Sequence, residues 1–153
     1  MKSLKLSEIK KIFLIAIVTT LIIIVDQFSK YLVSRNLLLN SSVPVIKNIF
    51  YITFVKNQGI AFGIFQRGNL FFILFAAVLT GILLIFSKKL ITHFYSAAGF
   101  SLILAGALGN LIDRVMRGYI IDFLDFRIWP VFNLSDTVLC IGVILLCIQY
   151  CVK

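Results

Sequence analysis

Four long runs of apolar residues are separated by shorter polar segments along this chain. The runs cover residues 12–33, 70–86, 94–112 and 134–152. Each is roughly 20 residues long, which is the length of helix that crosses the hydrocarbon core of a bilayer. The pattern therefore predicts four transmembrane helices in a single membrane domain that spans residues 1–153.

The polar segment between the first two runs has a pattern of its own. Within "SVPVIKNIFYITFVKNQGIAFGIF" (residues 42–65), β-branched and aromatic residues alternate loosely with polar ones. Such alternation is typical of half-buried strands and predicts a short sheet or hairpin on the membrane surface. The fold class that follows is an all-α membrane protein whose four transmembrane helices carry a small β-rich extracytoplasmic loop region.

Composition also indicates a membrane protein. Hydrophobic residues make up 61% of the chain and charged residues only 14%, against about 25% charged residues in ordinary soluble domains. The net charge of +9 does not indicate nucleic acid, because the chain has no soluble face to carry a basic patch. Basic residues that anchor the chain at the membrane surface, in contact with lipids, explain the charge better.

The distribution of basic residues predicts the direction of the chain in the membrane. The tail "MKSLKLSEIKK" and the loop "SKKLITH" concentrate lysines in short segments, whereas the opposite loops spread a similar number of basic residues over longer ones. Lys and Arg accumulate in short cytoplasmic segments. We therefore expect both termini in the cytoplasm and the two longer polar loops at the outer face.

Five of the six acidic residues gather at that outer face in this topology. They are Asp26, Asp113, Asp122, Asp125 and Asp136. An ionisable residue inside a span costs about 2.5–3.5 kcal/mol on insertion scales, so such residues usually have a function. The outer end of the bundle is the predicted position of the functional site.

Asp113 and Asp136 form the candidate catalytic pair. Asp113 closes the third run and Asp136 opens the fourth, and two adjacent carboxylates share a proton, so that one can act as general base on a water. Asn110 and Asn133 precede them by one helical turn, where each amide can orient its carboxylate. The pattern favours aspartic peptidase chemistry. The alternative is that each acid pairs with a basic neighbour, Arg114 in the case of Asp113.

Two further motifs lie near the outer ends of the first two runs. "DQFSK" places Asp26 and Lys30 four residues apart, where they form a pair that lowers the cost of insertion, and a structural role is as well supported as a functional one. "NQGIAFG" (residues 57–63) contains two glycines that permit a tight turn. That turn could present Asn57 and backbone groups to a peptide.

Other classes of protein also place acids in membranes. A proton- or ion-coupled transporter would carry them near the midplane of the bilayer, whereas these acids cluster at one end. A metal-dependent transferase could use Asp113, Asp122 and Asp125 but would leave Asp136 unexplained. A Ser/His/Asp hydrolase fits poorly because His93, the one histidine, lies on the cytoplasmic side.

Five short motifs together resemble those of a known family. "DQFSK", "NQGIAFG", "GALGNLIDR", "IIDF" and "FNLSD" occur in this order along the chain and resemble the lipoprotein signal peptidases, also called signal peptidase II. The resemblance implies a multi-pass aspartic endopeptidase of the bacterial cytoplasmic membrane. It implies cleavage of the signal peptide of diacylglyceryl-modified prolipoproteins just before the lipidated cysteine, with two aspartates and with neither a metal nor a cofactor.

The resemblance assigns roles residue by residue. It places the dyad on Asp113 and Asp136. The supporting or substrate-binding positions are Asn110, Arg114, Asn133, Asn57, Gly59, Ala61, Phe62, Asp26, Lys30 and Asp122. Asp122, within "IIDF", matches a position of structural or supportive role, and Ser135 stands where the family usually has alanine. The implied partners are lipid-modified prolipoproteins, and we expect a monomer.

The predicted orientation can be tested with one cysteine in the "SKKLITH" loop of a variant that lacks the native cysteines. We expect a membrane-impermeant thiol reagent to label this cysteine only after the cells are permeabilised, because the loop faces the cytoplasm. Labelling in intact cells would reverse the topology.

Overall fold

The structure, a computed structural model, describes residues 6–59, 69–91 and 93–151. Within these residues it contains four helices that are long and apolar enough to cross a membrane. They are α1 (Leu6–Asn36), α2 (Asn69–Leu90), α3 (Phe94–Arg117) and α4 (Leu134–Cys151). The predicted four-helix membrane fold is confirmed.

Helices α1, α2 and α3 extend beyond the apolar runs that predicted them, and α3 shows why. It runs through Asp113 and ends only at Arg117, because Gly118 adopts a left-handed conformation with φ of 81°. The N–H of Gly118 donates to the carbonyl of Arg114 at 3.1 Å, which satisfies one of the last carbonyls of the helix. Hydropathy marks where a helix leaves hydrocarbon, whereas the capping residue marks where it ends.

The first turn of α4 is fixed by a reciprocal cap. Asn133 Oδ1 accepts a hydrogen bond from the backbone N–H of Asp136 at 3.0 Å, and Asp136 Oδ2 accepts one from the backbone N–H of Asn133 at 3.2 Å. The two side chains satisfy donors that a helix N-terminus otherwise leaves unpaired. The cap fixes both the start of α4 and the position of the Asp136 carboxylate.

A three-stranded antiparallel sheet connects the two polar segments. Strands β1 (Ser42–Ile46), β2 (Phe50–Asn57) and β3 (Ile120–Asp125) pair in the order β1-β2-β3. The hairpin of β1 and β2 confirms the sheet predicted from the first polar segment, but β3 comes from the second polar segment and was missed. The register places Val55 opposite Asp122, so β3 brings an aspartate next to the end of β2.

The sheet packs on the C-terminal end of α1. Val33, Phe54, Ile121 and Phe123 form a buried cluster there. Away from this cluster, α1, α2 and α4 expose many large apolar side chains, which suits contact with lipid tails. The sheet is therefore anchored to the bundle by its own small core, at the end of the bundle where the aspartates lie.

Helix α3 is the central helix and contacts each of the other three. Its glycines allow α4 to approach closely. A Cβ atom on Gly106 would lie 2.4 Å from the carbonyl oxygen of Ser135, and one on Gly142 would lie 2.6 Å from that of Gly99. Small residues at such crossings let helix backbones pack against each other in a membrane.

We expect Gly106→Ala to lower the free energy of unfolding in detergent by about 1–3 kcal/mol, because backbone atoms of α4 must move to admit the new methyl group. The matched control is Gly81→Ala in α2, where a Cβ would meet nothing within 4 Å. This control should be neutral or stabilising by about 0.5–1 kcal/mol. Equal effects of the two substitutions on thermal unfolding would contradict the close crossing.

Candidate functional site

A buried group of charges connects α1 to α3. Lys30 Nζ lies 2.8 Å from Asp26 Oδ2 and 2.9 Å from Asp113 Oδ2, and all three side chains are fully buried. Arg117, one turn after Asp113, forms a second ion pair with the same aspartate. Burying such charges is favourable only when each is paired and hydrogen-bonded. The predicted pair of Asp26 and Lys30 is therefore part of a larger cluster, and Asp113 belongs to it.

Gln27 completes this cluster. Its Nε2 donates to Asp113 Oδ1 at 3.1 Å and to the carbonyl of Gly109 at 3.2 Å, and its Oε1 accepts from Arg117 at 2.8 Å. The backbone N–H of Ile121 donates to Asp113 Oδ2 at 3.2 Å. Both oxygens of Asp113 are thus occupied by several donors. Asp113 joins α1, α3 and the start of β3.

Asp122 and Asp136 lie on either side of one asparagine. Asn133 Nδ2 donates to Asp122 Oδ1 at 2.7 Å, while the backbone N–H of Asn133 donates to Asp136 Oδ2 at 3.2 Å. Asp122 is buried and Asp136 is half-buried. A single residue therefore holds two carboxylates, one from β3 and one from α4, in a common site.

Asn110 connects this carboxylate pair to the buried ion cluster. Its Nδ2 donates to Asp136 Oδ1 at 2.7 Å. Its Oδ1 accepts from Asn133 Nδ2 at 3.1 Å and from Lys30 Nζ at 3.2 Å. Asn133 orients Asp136 as predicted and also contacts Asp122. The prediction that Asn110 orients Asp113 is wrong, because its amide donates to Asp136 on the neighbouring helix.

The end of β2 supports Asp122 from the other side. Asn57 Nδ2 donates to Asp122 Oδ2 at 2.8 Å, and Asn57 Oδ1 accepts from the backbone N–H of Gly59 at 2.9 Å. Gly59 has a φ of 81°, so the predicted turn after Asn57 exists and needs its glycine. Ala61 and Phe62, predicted as neighbouring site residues, lie outside the described residues.

The surroundings of Asp122 favour its protonated form. Burial raises the pKa of its carboxyl, the hydrogen bonds from Asn57 and Asn133 lower it, and the negative charge of Asp136 raises it further, with a net increase above the ordinary value. Two nearby carboxylates with unequal environments are the arrangement in which one keeps a proton and the other does not. Asp122 can therefore supply a proton.

Asp125, three residues further along β3, has the opposite tendency. The hydrogen bond from Thr53 Oγ1, 2.6 Å long, is the main cause of a lowered pKa, and the backbone N–H of Arg127 contributes against the effect of burial. Arg127 has a φ of 66°, and its guanidinium stacks on Tyr51 at 3.8 Å. Asp125 holds β2 to the loop after β3.

Arg114 lies beside the site without joining the ion cluster. Its guanidinium lies 4.5 Å from the centroid of the Phe72 ring, and its buried Nη1 makes no hydrogen bond within the described part of the chain. Asp113 pairs with Arg117 and Lys30, so the alternative that paired Asp113 with Arg114 is wrong. Arg117 follows Asp113 by four residues and shares its helix face, whereas Arg114 is the next residue and points elsewhere.

Two cavities open on the two carboxylates. One, of about 350 Å³, is the more polar of the two and is lined by Val55, Lys56, Asn57, Gln58, Asp122, Pro130 and Val131. The other, of about 460 Å³, is apolar and is lined by Phe126, Ile128, Trp129, Phe132, Asp136, Thr137, Cys140 and Ile141. Asp122 lines the first cavity and Asp136 lines the second, so an extended substrate can reach both carboxylates.

The structure divides the aspartates differently from the sequence prediction. Across the described residues, Asp113 and Asp136 share no hydrogen bond and are connected only through Lys30 and Asn110. Asp122, to which the family resemblance assigned a structural or supportive role, is the carboxylate that shares Asn133 with Asp136. The sequence analysis missed Gln27 and Arg117. Their positions were a signal, because Gln27 directly follows Asp26 and Arg117 follows Asp113 by four residues.

Comparisons with known proteins all point to one family. A family model described as signal peptidase (SPase) II matches residues 18–152. The lipoprotein signal peptidase of Halothermothrix orenii is 44% identical over 133 residues, which are 87% of this chain and 92% of that protein. The lipoprotein signal peptidase of Clostridioides difficile is 42% identical over 134 residues, 86% of this chain and 90% of that protein.

The fold is also similar to solved structures. A bacterial membrane enzyme determined by the in meso method at 1.9 Å resolution superposes with a TM-score of 0.84 at 34% identity. The superposition covers 91% of this chain and 93% of that one. A second such enzyme, at 2.3 Å resolution, gives a TM-score of 0.81 at the same identity. The similarity therefore extends over most of both chains.

Proposed function

This chain belongs to the signal peptidase II family, and on that basis we propose that Asp122 and Asp136 are the two carboxylates that perform its reaction. The chain is an aspartic peptidase that cleaves the signal peptide from prolipoproteins. The observation that carries the assignment is the position of Asn133, which donates one hydrogen bond to each of these carboxylates. Asp113, the partner predicted from the sequence, is replaced in this proposal by Asp122.

We prefer Asp122 to Asp113 because the two carboxylates have different partners and differ in their capacity to exchange a proton. Asp113 is bound by Lys30, Arg117, Gln27 and a backbone N–H, and a carboxylate held by two cations is a poor proton donor or acceptor. Asp122 accepts hydrogen bonds only from neutral amides among the described residues and lines a cavity. It can therefore meet a peptide and exchange a proton with it.

The two carboxylates have distinct tasks in the proposed reaction. Asp136 takes a proton from a water whose oxygen attacks the scissile carbonyl carbon, while protonated Asp122 donates its proton to the carbonyl oxygen. The result is a neutral tetrahedral diol. Asp136 then gives its proton to the amide nitrogen as the C–N bond breaks, and Asp122 recovers its proton from the diol. Burial raises the pKa of Asp122, which favours the protonated form that this step requires.

The remaining assigned residues support this pair. Asn110 and Asn133 orient the carboxylates, and Asn57 with Gly59 holds Asp122 from the polar cavity. Asp26, Lys30 and Asp113 fix α1 against α3, and Asp26 Oδ1 also accepts the backbone N–H of Ser135 at 3.0 Å, next to Asp136. The negative charges of Asp122 and Asp136 both favour the charged form of Arg114. Arg114 in turn stabilises negative charge in the site.

The proposal also includes the substrate and the orientation of the chain in the membrane. The substrate is a diacylglyceryl-modified prolipoprotein, cut just before the lipidated cysteine. The active site lies at the outer face of the bacterial cytoplasmic membrane and both termini lie in the cytoplasm, which the crowding of lysines in the N-terminal tail and the "SKKLITH" loop supports. The enzyme acts as a monomer among membrane lipids.

We expect Asp122→Asn and Asp136→Asn each to lower kcat by about 10²–10⁴-fold, because each removes a proton donor or acceptor. Asp113→Asn should instead lower the free energy of unfolding by about 3 kcal/mol, because it weakens a buried ion cluster. Asp125→Asn is the matched control in β3, since its carboxylate binds Thr53 and Arg127, and it should keep turnover. Cleavage of a lipidated precursor and thermal unfolding are measured on each purified variant.

The opposite assignment would give a different set of results. If Asp113→Asn were inactive at an unchanged melting temperature while Asp122→Asn cleaved the precursor at the wild-type rate, the dyad would consist of Asp113 and Asp136.

The pH dependence provides a second test. Asn57→Ala removes a hydrogen bond that lowers the pKa of Asp122, so that pKa rises further and Asp122 stays protonated to higher pH. The alkaline limb of the kcat profile should therefore move up by about 0.5–1 pH unit. Thr53→Val is the control from the same strand, because its hydroxyl binds Asp125. A limb that stays fixed or moves down in Asn57→Ala would place the acid elsewhere.

A further inference from the structure

The end of the bundle opposite the aspartates also carries a cavity. It has a volume of about 390 Å³ and lies between the start of α3, with His93 and Tyr95, and the last turns of α4, with Leu145, Ile148 and Gln149. Helix α3 runs 24 residues from this cavity towards the aspartates, a length of about 36 Å. The cavity is therefore separate from the candidate catalytic site.

The wall of this cavity contains a polar atom without a partner. The side-chain oxygen Oε1 of Gln149 is buried and accepts no hydrogen bond within the described part of the chain. A buried acceptor that has lost water and gained no donor is unfavourable, so native structures pair such atoms with protein, water or a ligand. The cavity that Gln149 lines has room for a group that carries a donor, such as a hydroxyl.

The surroundings of the cavity favour a negatively charged group. The hydroxyl of Tyr150 donates to the carbonyl oxygen of Lys89 at 2.9 Å, which holds the segment that contains Lys88 and Lys89 against the end of α4. The first turn of α3 contains no acidic residue, and the N-terminus of a helix carries a partial positive charge. Glu8, at the start of α1, is paired with Lys11 at 2.8 Å. The charge beside the cavity is therefore positive among the described residues.

The same cavity has an apolar side that suits contact with lipid. Leu145 and Ile148 are 38% and 56% exposed, and Phe94 and Tyr95, whose rings pack edge to face, are 63% and 75% exposed. Aromatic residues at the end of a membrane-spanning helix are typical of the membrane interface. A ligand that matches the whole cavity therefore combines a negative charge and a hydrogen-bond donor with hydrocarbon chains.

We propose that this cavity binds an anionic phospholipid whose headgroup carries hydroxyl groups, as in phosphatidylglycerol. The phosphate lies at the start of α3 beside the lysine segment, a headgroup hydroxyl donates to Gln149 Oε1, and an acyl chain lies along Leu145 and Ile148. Phosphatidylcholine has neither a net negative charge nor a hydrogen-bond donor in its headgroup and does not fit. The inference does not rest on the proposed dyad, which lies at the other end of the bundle.

The test measures the thermal unfolding of the full chain in a neutral detergent as lipid is added. We expect saturating phosphatidylglycerol to raise Tm by about 3 °C, because a ligand that binds only the folded protein stabilises it. Phosphatidylcholine, which lacks the net charge, and glycerol 1-phosphate, which lacks the acyl chains, should leave Tm unchanged. The readout needs no turnover, so it is independent of the catalytic assignment.

Gln149→Leu removes the acceptor that the lipid uses. Without lipid this variant should unfold at the wild-type temperature or above it, since it loses an unpartnered buried atom, but it should lose most of the rise caused by phosphatidylglycerol. Thr80→Val is the matched control, because Thr80 Oγ1 is also buried and unpartnered within the described residues but lies in α2, outside the cavity. The control should keep the full rise.

Lys89→Gln changes an exposed side chain and tests the charge separately from Gln149. The phosphatidylglycerol concentration that gives half of the maximal rise should increase about fivefold, which is the contribution of one basic residue near anionic lipid. An equal rise with phosphatidylcholine, a full rise in Gln149→Leu, or an unchanged half-maximal concentration in Lys89→Gln would overturn the proposal. An equal rise with glycerol 1-phosphate would also overturn it, because the ligand would then be a soluble phosphate.

Discussion

The buried ammonium of Lys30 is the interaction on which the rest of the structure depends. Transferring one ion from water into a protein interior costs several kcal/mol, which only close partners can offset, and Lys30 has Asp26 and Asp113 at 2.8 and 2.9 Å. Asp26 in turn accepts the N–H of Ser135 at the start of α4. Three helices are thereby fixed at the level of the site, in a membrane where apolar contacts alone do not distinguish one packing from another.

The end of the bundle that carries the aspartates gives different partners to Asp113 and to the proposed catalytic pair. Cations surround Asp113, whereas amides surround Asp122 and Asp136. A cation stabilises the charged form of a carboxylate, while an amide can orient it and leave its proton exchange available. Asn110 contacts Lys30 of the ion cluster and Asp136 of the proposed catalytic pair. The ion cluster therefore holds the proposed pair in place without forming an ion pair with it.

Features that depend on residues close together in the sequence could be predicted, whereas features that depend on residues far apart could not. The four helices were predicted because hydropathy is a local property, and the contact of Asn133 with Asp136 was predicted because one helical turn separates them. The same spacing wrongly paired Asn110 with Asp113, because only the folded chain brings Asn110 to Asp136. Strand β3 was missed because "IIDFLD" is buried along nearly its whole length, which removes the alternation of a half-buried strand. Asp113 was preferred to Asp122 because only the folded chain brings Lys30 to Asp113, and because the local signal of Arg117, four residues after Asp113, was not used.

The position of β3 in the chain sets the order in which the site can form. Its partner strand β2 ends at Asn57, yet Asp122 follows 65 residues later, after two further helices. A ribosome must therefore complete the second polar segment before the sheet can close, and α4 must follow before Asn133 can join the two carboxylates. A chain still under synthesis has no assembled pair of carboxylates and cannot hydrolyse neighbouring peptides in the membrane.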